Sequence, residues 1–260
     1  MHLMKMFKPN RVVALNLLWI CGVVAEGFIP SSIKRCHLGD EACYKTQAQN
    51  YLEYYKYGIP EHNVPSIEPL KIGTLRSQIG GKDTPMQLNL LMTNTSAHHF
   101  GSSMVVKSLT IMATPDDLSK PAKTIMIMSS PLIDVTANYH LKGKFLILPI
   151  DSKGQVSIKL RQVDVNTVID MLPEKRTDGL HYLKITGYKM TVETGSGSFN
   201  MTNLFKDPAL SESTIKVFND EYKTFSKELE PKIMEAATRA TRETLQKVFD
   251  IIPFDDFFLK

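Results

Sequence analysis

The clearest pattern of apolar and polar positions lies near the C-terminal end of the chain, from Ser211 to Ile252. Apolar residues recur there at steps of three and four and charged residues lie between them, which predicts one amphipathic α-helix. At 1.5 Å per residue such a helix is roughly 60 Å long, so something extended must lie alongside it. Because Pro231 falls inside the pattern and lacks a backbone donor, we expect a kink or a break there, with Pro231 opening a second helix.

Both ends of this helix can be predicted. Asp207, Ser211 and Ser213 are alternative N-cap residues. Pro253 ends the helix, and residues 254–259 then carry three phenylalanines and a leucine. Since a free tail of this composition would expose a large apolar surface, we expect it to fold back onto the body of the protein.

The central part of the chain has the pattern of strands. Most segments between Leu70 and about Glu193 alternate apolar with polar residues, whereas Thr124–Met128 is continuously apolar, as in a strand that is covered on both faces or lines a cavity. The predicted strands are Leu70–Ile72, Leu88–Met92, Leu109–Ile111, Thr124–Met128, Phe145–Pro149, Val156–Leu160, Val163–Val165 and Tyr182–Tyr188. The predicted turns are Gly80–Gly81, Thr114–Asp117, Gly143, Ser152–Gly154 and Gly195–Gly197.

A short amphipathic helix is predicted before the strands, from Glu41 to Tyr57, with Gly58 ending it. The order is therefore one short helix, many antiparallel strands and one very long helix. Strands that are segregated from helices favour the α+β class. A single curved antiparallel sheet can cover a long helix by wrapping along it.

The N-terminus has the features of a signal peptide. Basic residues precede an apolar run from Val12 to Val24, and the small residues that follow fit cleavage after Ala25. A membrane anchor is the alternative, but the run is shorter than the roughly 20 residues that a spanning helix needs. We therefore expect residues 1–25 to be removed and residues 26–260 to form one secreted domain without a membrane span.

Removal of the signal peptide would leave 28 basic and 27 acidic residues. No basic stripe predicts a nucleic-acid partner, and no block of like charge predicts an anionic membrane surface.

Cys36 and Cys43 would remain after removal of the signal peptide. Two nearby cysteines in a secreted chain favour a disulfide, and a metal pair completed by His37 and Asp40 is the alternative. Two glycosylation sequons, at Asn94 and Asn200, are consistent with secretion.

No reactive motif is found. The chain lacks a G-x-S-x-G elbow, and its S-x-x-K matches at Ser31 and Ser213 lack companion motifs. His98 and His99 are adjacent and would point to opposite faces of a strand, so they cannot chelate one metal ion. We expect no enzyme, no cofactor and no metal. The positive signal is an apolar surplus of methionines and aliphatic residues on the strands, which either fill a core or line an adaptable apolar pocket.

Several stretches, taken in order, resemble the insect takeout and haemolymph juvenile hormone binding protein family. These are Cys36–Cys43, Gly58–Pro60, Pro65–Ile72, Asn138–Ile150, Asn203–Phe205 and Pro253–Phe258. The resemblance implies a secreted carrier in haemolymph or another extracellular fluid, with a long C-terminal helix wrapped by a highly curved antiparallel sheet. That super-roll is related to lipid-binding proteins of the bactericidal/permeability-increasing type. The resemblance also implies that Cys36 and Cys43 form a disulfide and that a hydrophobic ligand lies in an internal tunnel.

Two departures favour a takeout-like protein over a juvenile hormone carrier. The segment Asp151–Gly154 has one glycine where many members have two, and the chain has no cysteines for the second disulfide of the haemolymph carriers. The expected ligand is a juvenile hormone-like sesquiterpenoid or another lipid, such as a quinone or a fatty acid. The alternatives are an extracellular interaction or signalling factor with a filled core, and a secreted hydrolase.

The residues expected to line the tunnel come from the long helix and from the strands. Those on the helix are Phe218, Tyr222, Phe225, Leu229 and Ile233. Those on the strands are Leu88, Leu90, Ile125, Ile127, Tyr139, Phe145 and Ile147. Because a tyrosine combines an apolar ring with a hydroxyl, Tyr139 or Tyr222 is the expected polar anchor for the ligand.

Overall fold

A disulfide and a short helix stand at the start of the described chain. The structure, a computed structural model, describes residues 33–81, 86–114, 117 and 119–259, so the predicted signal peptide lies outside the described residues. Helix α1 spans Glu41–Tyr55, and Asp40 caps it by accepting a hydrogen bond of 2.9 Å from the backbone amide of Cys43. The predicted disulfide between Cys36 and Cys43 is present and ties the preceding segment to the first turn of α1.

Six antiparallel strands form one sheet in the described part of the chain. They are β1 (Leu70–Ile79), β2 (Met86–His98), β3 (Val105–Met112), β4 (Ala122–Phe145), β5 (Leu148–Lys175) and β6 (His181–Met201). The order is β1-β2-β4-β5-β6, and β3 pairs with the first half of β4 while β2 pairs with its second half. β4 and β5 have 24 and 28 residues. Most strands have about five or six residues. Buried and exposed residues alternate along both strands. The sheet can therefore wrap around a long core.

The C-terminal region forms two helices in line, α2 (Pro208–Asp220) and α3 (Tyr222–Ile251). Asp207 is the N-cap, because its carboxylate accepts hydrogen bonds from the amides of Ala209 (2.8 Å) and Leu210 (3.2 Å). The expected break at Pro231 is wrong, because α3 continues through this proline, whose side chain is exposed. The interruption lies ten residues earlier, at Glu221, whose φ of −99° and ψ of 25° are not helical.

Tertiary packing accounts for the position of this interruption. Tyr222, the first residue of α3, packs its ring against Phe199 of β6, with 5.2 Å between the ring centroids. A Cβ atom added at Gly197 would lie 2.0 Å from Cζ of Tyr222. The helical pattern of the sequence contains no sign of this contact, because the contact depends on a glycine in a distant strand.

Helix α3 packs against β1 and β6, the two strands at the ends of the sheet order. The sheet therefore wraps around α3.

Two amide side chains cover the outer edge of β6. Gln246 accepts a hydrogen bond from the amide of Ile185 (2.8 Å) and donates to the carbonyl of Leu183 (3.0 Å). Asn219 does the same with the amide (2.7 Å) and carbonyl (3.0 Å) of Phe199, so these edge groups are not left unpaired.

Three of the predicted turns are wrong. Gly143, Ser152–Gly154 and Gly195–Gly197 lie inside β4, β5 and β6, whereas the β4–β5 hairpin turns at residues 146–147, inside a predicted strand. Gly143 is required by a close approach of the backbone, since a Cβ atom there would lie 1.9 Å from the carbonyl oxygen of Gln87 on β2. These glycines mark tight packing between neighbouring segments, which a single sequence does not distinguish from a turn.

The C-terminal tail folds back as expected. It forms a 3-10 turn at Phe254–Asp256, and the side chains of Phe254 and Phe258 are buried. Cys36 pairs with this tail, because its amide donates to the carbonyl of Phe257 (3.1 Å) and its carbonyl accepts from the amide of Leu259 (2.9 Å). The α+β class, with helices wrapped by one curved antiparallel sheet, is confirmed.

Candidate functional site

A cavity of about 290 Å³ lies at the end of the molecule where α1 and the C-terminal tail meet the sheet. Helix α1 and the tail form one side of its wall, the inner faces of β3 to β6 form another, and the last turns of α3 complete it. Its lining includes Ala48, Tyr51, Leu52, Tyr55, Phe100, Leu109, Thr124, Met126, Met128, Met171, Leu183, Tyr188, Met190, Thr241, Thr244, Leu245, Val248, Phe254, Phe257 and Phe258.

The lining is almost entirely apolar. Aliphatic, aromatic and methionine side chains predominate, and Lys34 is the one charged residue among the described residues of the wall. These wall residues include no serine, histidine or carboxylate. Four methionines come from β4, β5 and β6, and their flexible thioethers can adapt to ligands of different shape. The wall is suited to holding an apolar molecule and offers no pair of nucleophile and base.

Three hydroxyl groups form a polar point in this apolar wall. Tyr188 on β6 lines the cavity, and its hydroxyl lies near those of Thr241 on α3 and Thr167 on β5. Burial raises the pKa of Tyr188, and the two threonine hydroxyls oppose this effect. Thr241 donates to the carbonyl of Ala237 (2.9 Å), whereas Thr167 is completely buried and its hydroxyl has no hydrogen-bond partner among the described residues. The Thr167 hydroxyl is therefore one buried group near the cavity wall whose hydrogen-bonding capacity is unused.

A second tyrosine lies where α1 meets the tail. Tyr51 lines the cavity, and its ring packs against Phe257 with 5.6 Å between the ring centroids. Burial raises the pKa of Tyr51 well above its usual range, and the charges of Asp256 and Arg35 have smaller, opposite effects. Asp256 and Arg35 form an ion pair that joins the tail to the segment before α1. This side of the cavity is closed by contacts between side chains of separate segments.

None of the eleven predicted ligand-binding residues whose side chains the structure describes lines the large cavity. Four of them, Leu88, Leu90, Phe218 and Leu229, line a void of about 30 Å³ at the other end of the sheet. Ile233 lines a neighbouring void of about 10 Å³ together with Leu90 and Leu229. The apolar face of the C-terminal helices packs against the core, as predicted. Its first half, however, fills the core instead of leaving space for a ligand.

The choice of face on β4 was wrong. Thr124, Met126 and Met128 line the cavity, whereas Ile125 lies on the opposite face and Ile127 is 40% exposed. Alternation along a strand gives two sets of residues, and a continuously apolar segment does not indicate which set points inward. Of the two alternatives given for this segment, a strand covered on both faces or one that lines a cavity, the structure shows the second.

The two tyrosines expected to anchor a ligand are engaged elsewhere. The hydroxyl of Tyr139 donates to the carbonyl of Thr202 (2.8 Å), and the ring of Tyr222 packs against β6. Phe145 packs edge-to-face against Phe218, with 5.2 Å between the ring centroids. Ile147 is 85% exposed at the β4–β5 turn.

The side chain of Phe225 lies outside the described residues. The described residues contain no group of three or more histidine, cysteine, aspartate or glutamate residues that could hold a metal ion. None of their helices is long and apolar enough to cross a membrane.

A curved sheet around a long helix, with an apolar cavity at one end, offers a site suited to a small hydrophobic molecule. The chain belongs to the haemolymph juvenile hormone binding protein family, whose model matches residues 15–259.

Relatives and a solved structure agree with this assignment. The chain is 41% identical over 235 residues to the circadian clock-controlled protein daywake of Drosophila yakuba, covering 90% of this chain and 89% of that protein. It is 39% identical over 246 residues to daywake of Drosophila melanogaster, covering 94% of both chains. The crystal structure of Epiphyas postvittana Takeout 1 superposes on this chain with a TM-score of 0.72 at 22% sequence identity. The match covers 88% of this chain and 100% of the Takeout 1 chain. The resemblance found in the sequence motifs is confirmed.

Proposed function

We propose that this protein is a secreted, non-enzymatic carrier that holds a small hydrophobic ligand in the cavity between α1, the sheet and the tail. The observation that carries the proposal is the apolar cavity of about 290 Å³. Ligand pockets begin at about 300 Å³, so the volume suits one small molecule. The membership of the chain in a family named for juvenile hormone binding supports a juvenile hormone-like sesquiterpenoid, or a lipid of similar size such as a quinone or a fatty acid.

The cavity favours this proposal over an interaction factor with a filled core. A void of this size leaves the side chains around it without packing partners, which costs stability unless something occupies it. The lining also disfavours a hydrolase that would act in the cavity, because its described residues include no serine, histidine or carboxylate.

We assign the polar anchor of the ligand to Tyr188. Burying about 400 Å² of apolar surface gains on the order of 10 kcal/mol. The cost of association is at least about 4 kcal/mol, which leaves at most about 6 kcal/mol, an affinity of about 40 micromolar or weaker. Selectivity needs a polar contact, and a ligand oxygen beside Tyr188 could accept from its hydroxyl while Thr167 and Thr241 lie next to it. Ligands that carry an ester, ketone, epoxide or hydroxyl oxygen would then be preferred over hydrocarbons.

The first experiment identifies the natural ligand. The protein is secreted from insect cells, purified and extracted with organic solvent, and the extract is analysed by mass spectrometry. A stoichiometric isoprenoid, quinone or fatty acid supports the carrier. A protein that yields no lipid, and that also fails to bind phenylnaphthylamine, a fatty acid or juvenile hormone, contradicts it.

A pair of variants on one helix tests the position of the ligand. Ala48 on α1 lines the cavity, whereas Ala42 on the same helix is exposed. Ala48→Trp should fill part of the cavity and weaken binding of phenylnaphthylamine at least about tenfold. Ala42→Trp adds the same side chain outside the cavity and should leave binding unchanged. Equal binding by both variants would move the ligand away from this cavity.

Secretion is part of the proposal and is tested separately. Both sequon asparagines, Asn94 and Asn200, are exposed, so glycans could be attached without unfolding the sheet. N-terminal sequencing of the protein from the medium should begin at Glu26. A shift in mobility after glycosidase treatment, lost in Asn94→Gln or Asn200→Gln, would show which sequon is used.

A further inference from the structure

The turn of the β4–β5 hairpin exposes two adjacent large apolar side chains. Leu146 is 54% exposed and Ile147 is 85% exposed, the highest value among the large hydrophobic residues of the described chain. Two-residue hairpin turns normally carry Asn, Asp or Gly. Exposure of single apolar residues is common in proteins, but an adjacent pair at the tip of two very long strands is not explained by packing.

The backbone of the turn is also unfavourable for these side chains. Leu146 has a φ of +54°, in the left-handed region that bulky residues rarely adopt. Asparagine or glycine would relieve this strain and remove the exposed surface in one step. A strained conformation that presents an apolar side chain to solvent indicates that the side chain has a use outside the folded core.

Three lysines lie behind this tip. Lys142 and Lys144 on β4 and Lys153 on β5 are exposed. The strand register places all three on the outer face of the hairpin. Asp151 is the one acidic residue between positions 140 and 153. Lys142 lies 3.7 Å from Asp151 yet remains 69% exposed. Because apolar residues separate these lysines in the sequence, they form no block of like charge there. Strand pairing brings them together into a positive collar below an apolar tip.

We propose that the β4–β5 hairpin tip, residues 142–153, docks on the surface of an anionic phospholipid bilayer. Leu146 and Ile147 enter the interface between headgroups and acyl chains, while the lysine collar contacts the phosphates. An apolar tip with a basic collar matches a membrane better than a protein groove, because both features act together at a charged interface. The binding is peripheral and reversible and weakens as the salt concentration rises.

A single tryptophan can report on this insertion. The one tryptophan of the chain, Trp19, lies in the predicted signal peptide, so the secreted protein is expected to have none. The variant Ile147→Trp places a fluorophore at the tip. With vesicles of equal parts phosphatidylcholine and phosphatidylserine, its emission should shift to shorter wavelength and be quenched by brominated acyl chains. Vesicles of phosphatidylcholine alone should give a smaller shift. An unchanged emission with both kinds of vesicle would overturn the proposal.

Flotation with the same vesicles tests the contribution of each feature. Leu146→Asn/Ile147→Gly should lower the bound fraction at least about tenfold while improving the turn itself, so loss of folding cannot explain the result. Lys142→Gln/Lys144→Gln/Lys153→Gln should abolish the preference for phosphatidylserine. Val105→Thr/Met112→Gln removes exposed apolar surface on β3, away from the tip, and should bind like the wild type.

The outcomes separate this proposal from the carrier function. Vesicle binding does not depend on the content of the cavity, so the tip variant should still bind phenylnaphthylamine. Vesicle binding that the tip variant retains would overturn the assignment to this hairpin. A wild-type protein that ignores vesicles but captures a haemolymph protein through Leu146 and Ile147 would assign the tip to a protein partner and overturn the lipid proposal.

Discussion

The two ends of the helix-and-sheet core differ in how completely they are filled. Around α2 and the start of α3, Phe218 packs against Phe145 and Tyr222 packs against Phe199, leaving voids of about 30 and 10 Å³. Around the last turns of α3 the same sheet encloses about 290 Å³. Both ends are built from an amphipathic helix facing alternating strands, so the architecture alone does not create the cavity.

The segments that complete the wall differ between the two ends. At the filled end, Phe218 and Tyr222 place aromatic rings against Phe145 and Phe199 of the sheet. At the cavity end, α3 contributes Thr241, Thr244, Leu245, Val248 and Phe249, and the rest of the wall comes from the sheet, from α1 and from the aromatic tail. Ala236 and Ala237, between the two ends, are buried in the packed core. The cavity therefore lies where separate segments complete the wall, and it does not follow from the residues of the helix alone.

The largest expected effect comes from truncating a leucine at each end. Leu88 at the filled end is 1% exposed and Leu183 at the cavity end is 4% exposed. Leu88→Ala should lower the free energy of unfolding by about 4 kcal/mol, because a new void opens among packed neighbours. Leu183→Ala should cost about 2 kcal/mol, because one side of Leu183 already faces empty space. Urea denaturation measures both, and equal losses would mean that the cavity end is as well packed as the other.

Loss of the disulfide should affect only the cavity end. Cys36→Ala/Cys43→Ala releases the segment that pairs with the tail at Phe257 and Leu259. A closed loop of this length contributes about 2 kcal/mol to stability. Hydrogen exchange should therefore become faster in α1 and in residues 254–258, while the amides of β2 keep their protection. Uniformly faster exchange would show that the two ends unfold as one unit and would remove the distinction drawn here.

Sequence reasoning was most successful where the signal was local. The long helical region, the short helix after Cys36, the folded-back tail and the α+β class all follow from spacing and composition, and the observed N-cap, Asp207, is one of the three candidates that the sequence offers. Sequence reasoning failed where contacts between distant segments determine the local structure. The break at Glu221 depends on Tyr222 meeting β6, and the glycines inside strands depend on the approach of a neighbouring backbone.

The residues predicted to line a tunnel lie at the end opposite the large cavity for a similar reason. Large residues on the helical stripe look like tunnel residues, yet large residues fill space. The signal available in the sequence is the pair Thr241 and Thr244 on the same helix, together with Met126 and Met128 of the apolar surplus. Tyr188 could not be selected, because only the fold brings it beside Thr167 and Thr241.

A smaller effect is expected at Glu68, which holds a loop beside the cavity. Its carboxylate accepts hydrogen bonds from the amides of His99 (2.9 Å), Gly101 (3.1 Å) and Ser102 (2.9 Å), next to the cavity residue Phe100. Partial burial is the largest single effect and raises the pKa of Glu68, but these hydrogen bonds together outweigh it, so that the net pKa is lowered. Glu68→Gln should cost about 2 kcal/mol at neutral pH.

The sign of the pH dependence follows from that lowered pKa. Stabilisation by the Glu68 carboxylate is fully present above the unfolded-state pKa, near 4.5, and is lost as the pH falls through the lower pKa of the folded state. The gap in unfolding free energy between wild type and Glu68→Gln should therefore narrow once the pH falls below 4.5 and close as the pH falls through the lower folded-state pKa. A gap that persists at lower pH would mean that the Gln side chain disrupts the loop by its shape and not by its missing charge.

The smallest effect sharpens the comparison at the level of one hydroxyl. Tyr188→Phe keeps the ring in the cavity wall and removes the proposed anchor, so affinity for an ester or ketone ligand should fall about tenfold, or about 1.4 kcal/mol. Affinity for a hydrocarbon of the same size should not change, as displacement of phenylnaphthylamine would measure. Tyr222→Phe is the matched control, because Tyr222 lies at the filled end and its loss should affect neither ligand. If Tyr188→Phe weakens both ligands equally, the ring and not the hydroxyl makes the contact, and selectivity must come from the shape of the cavity.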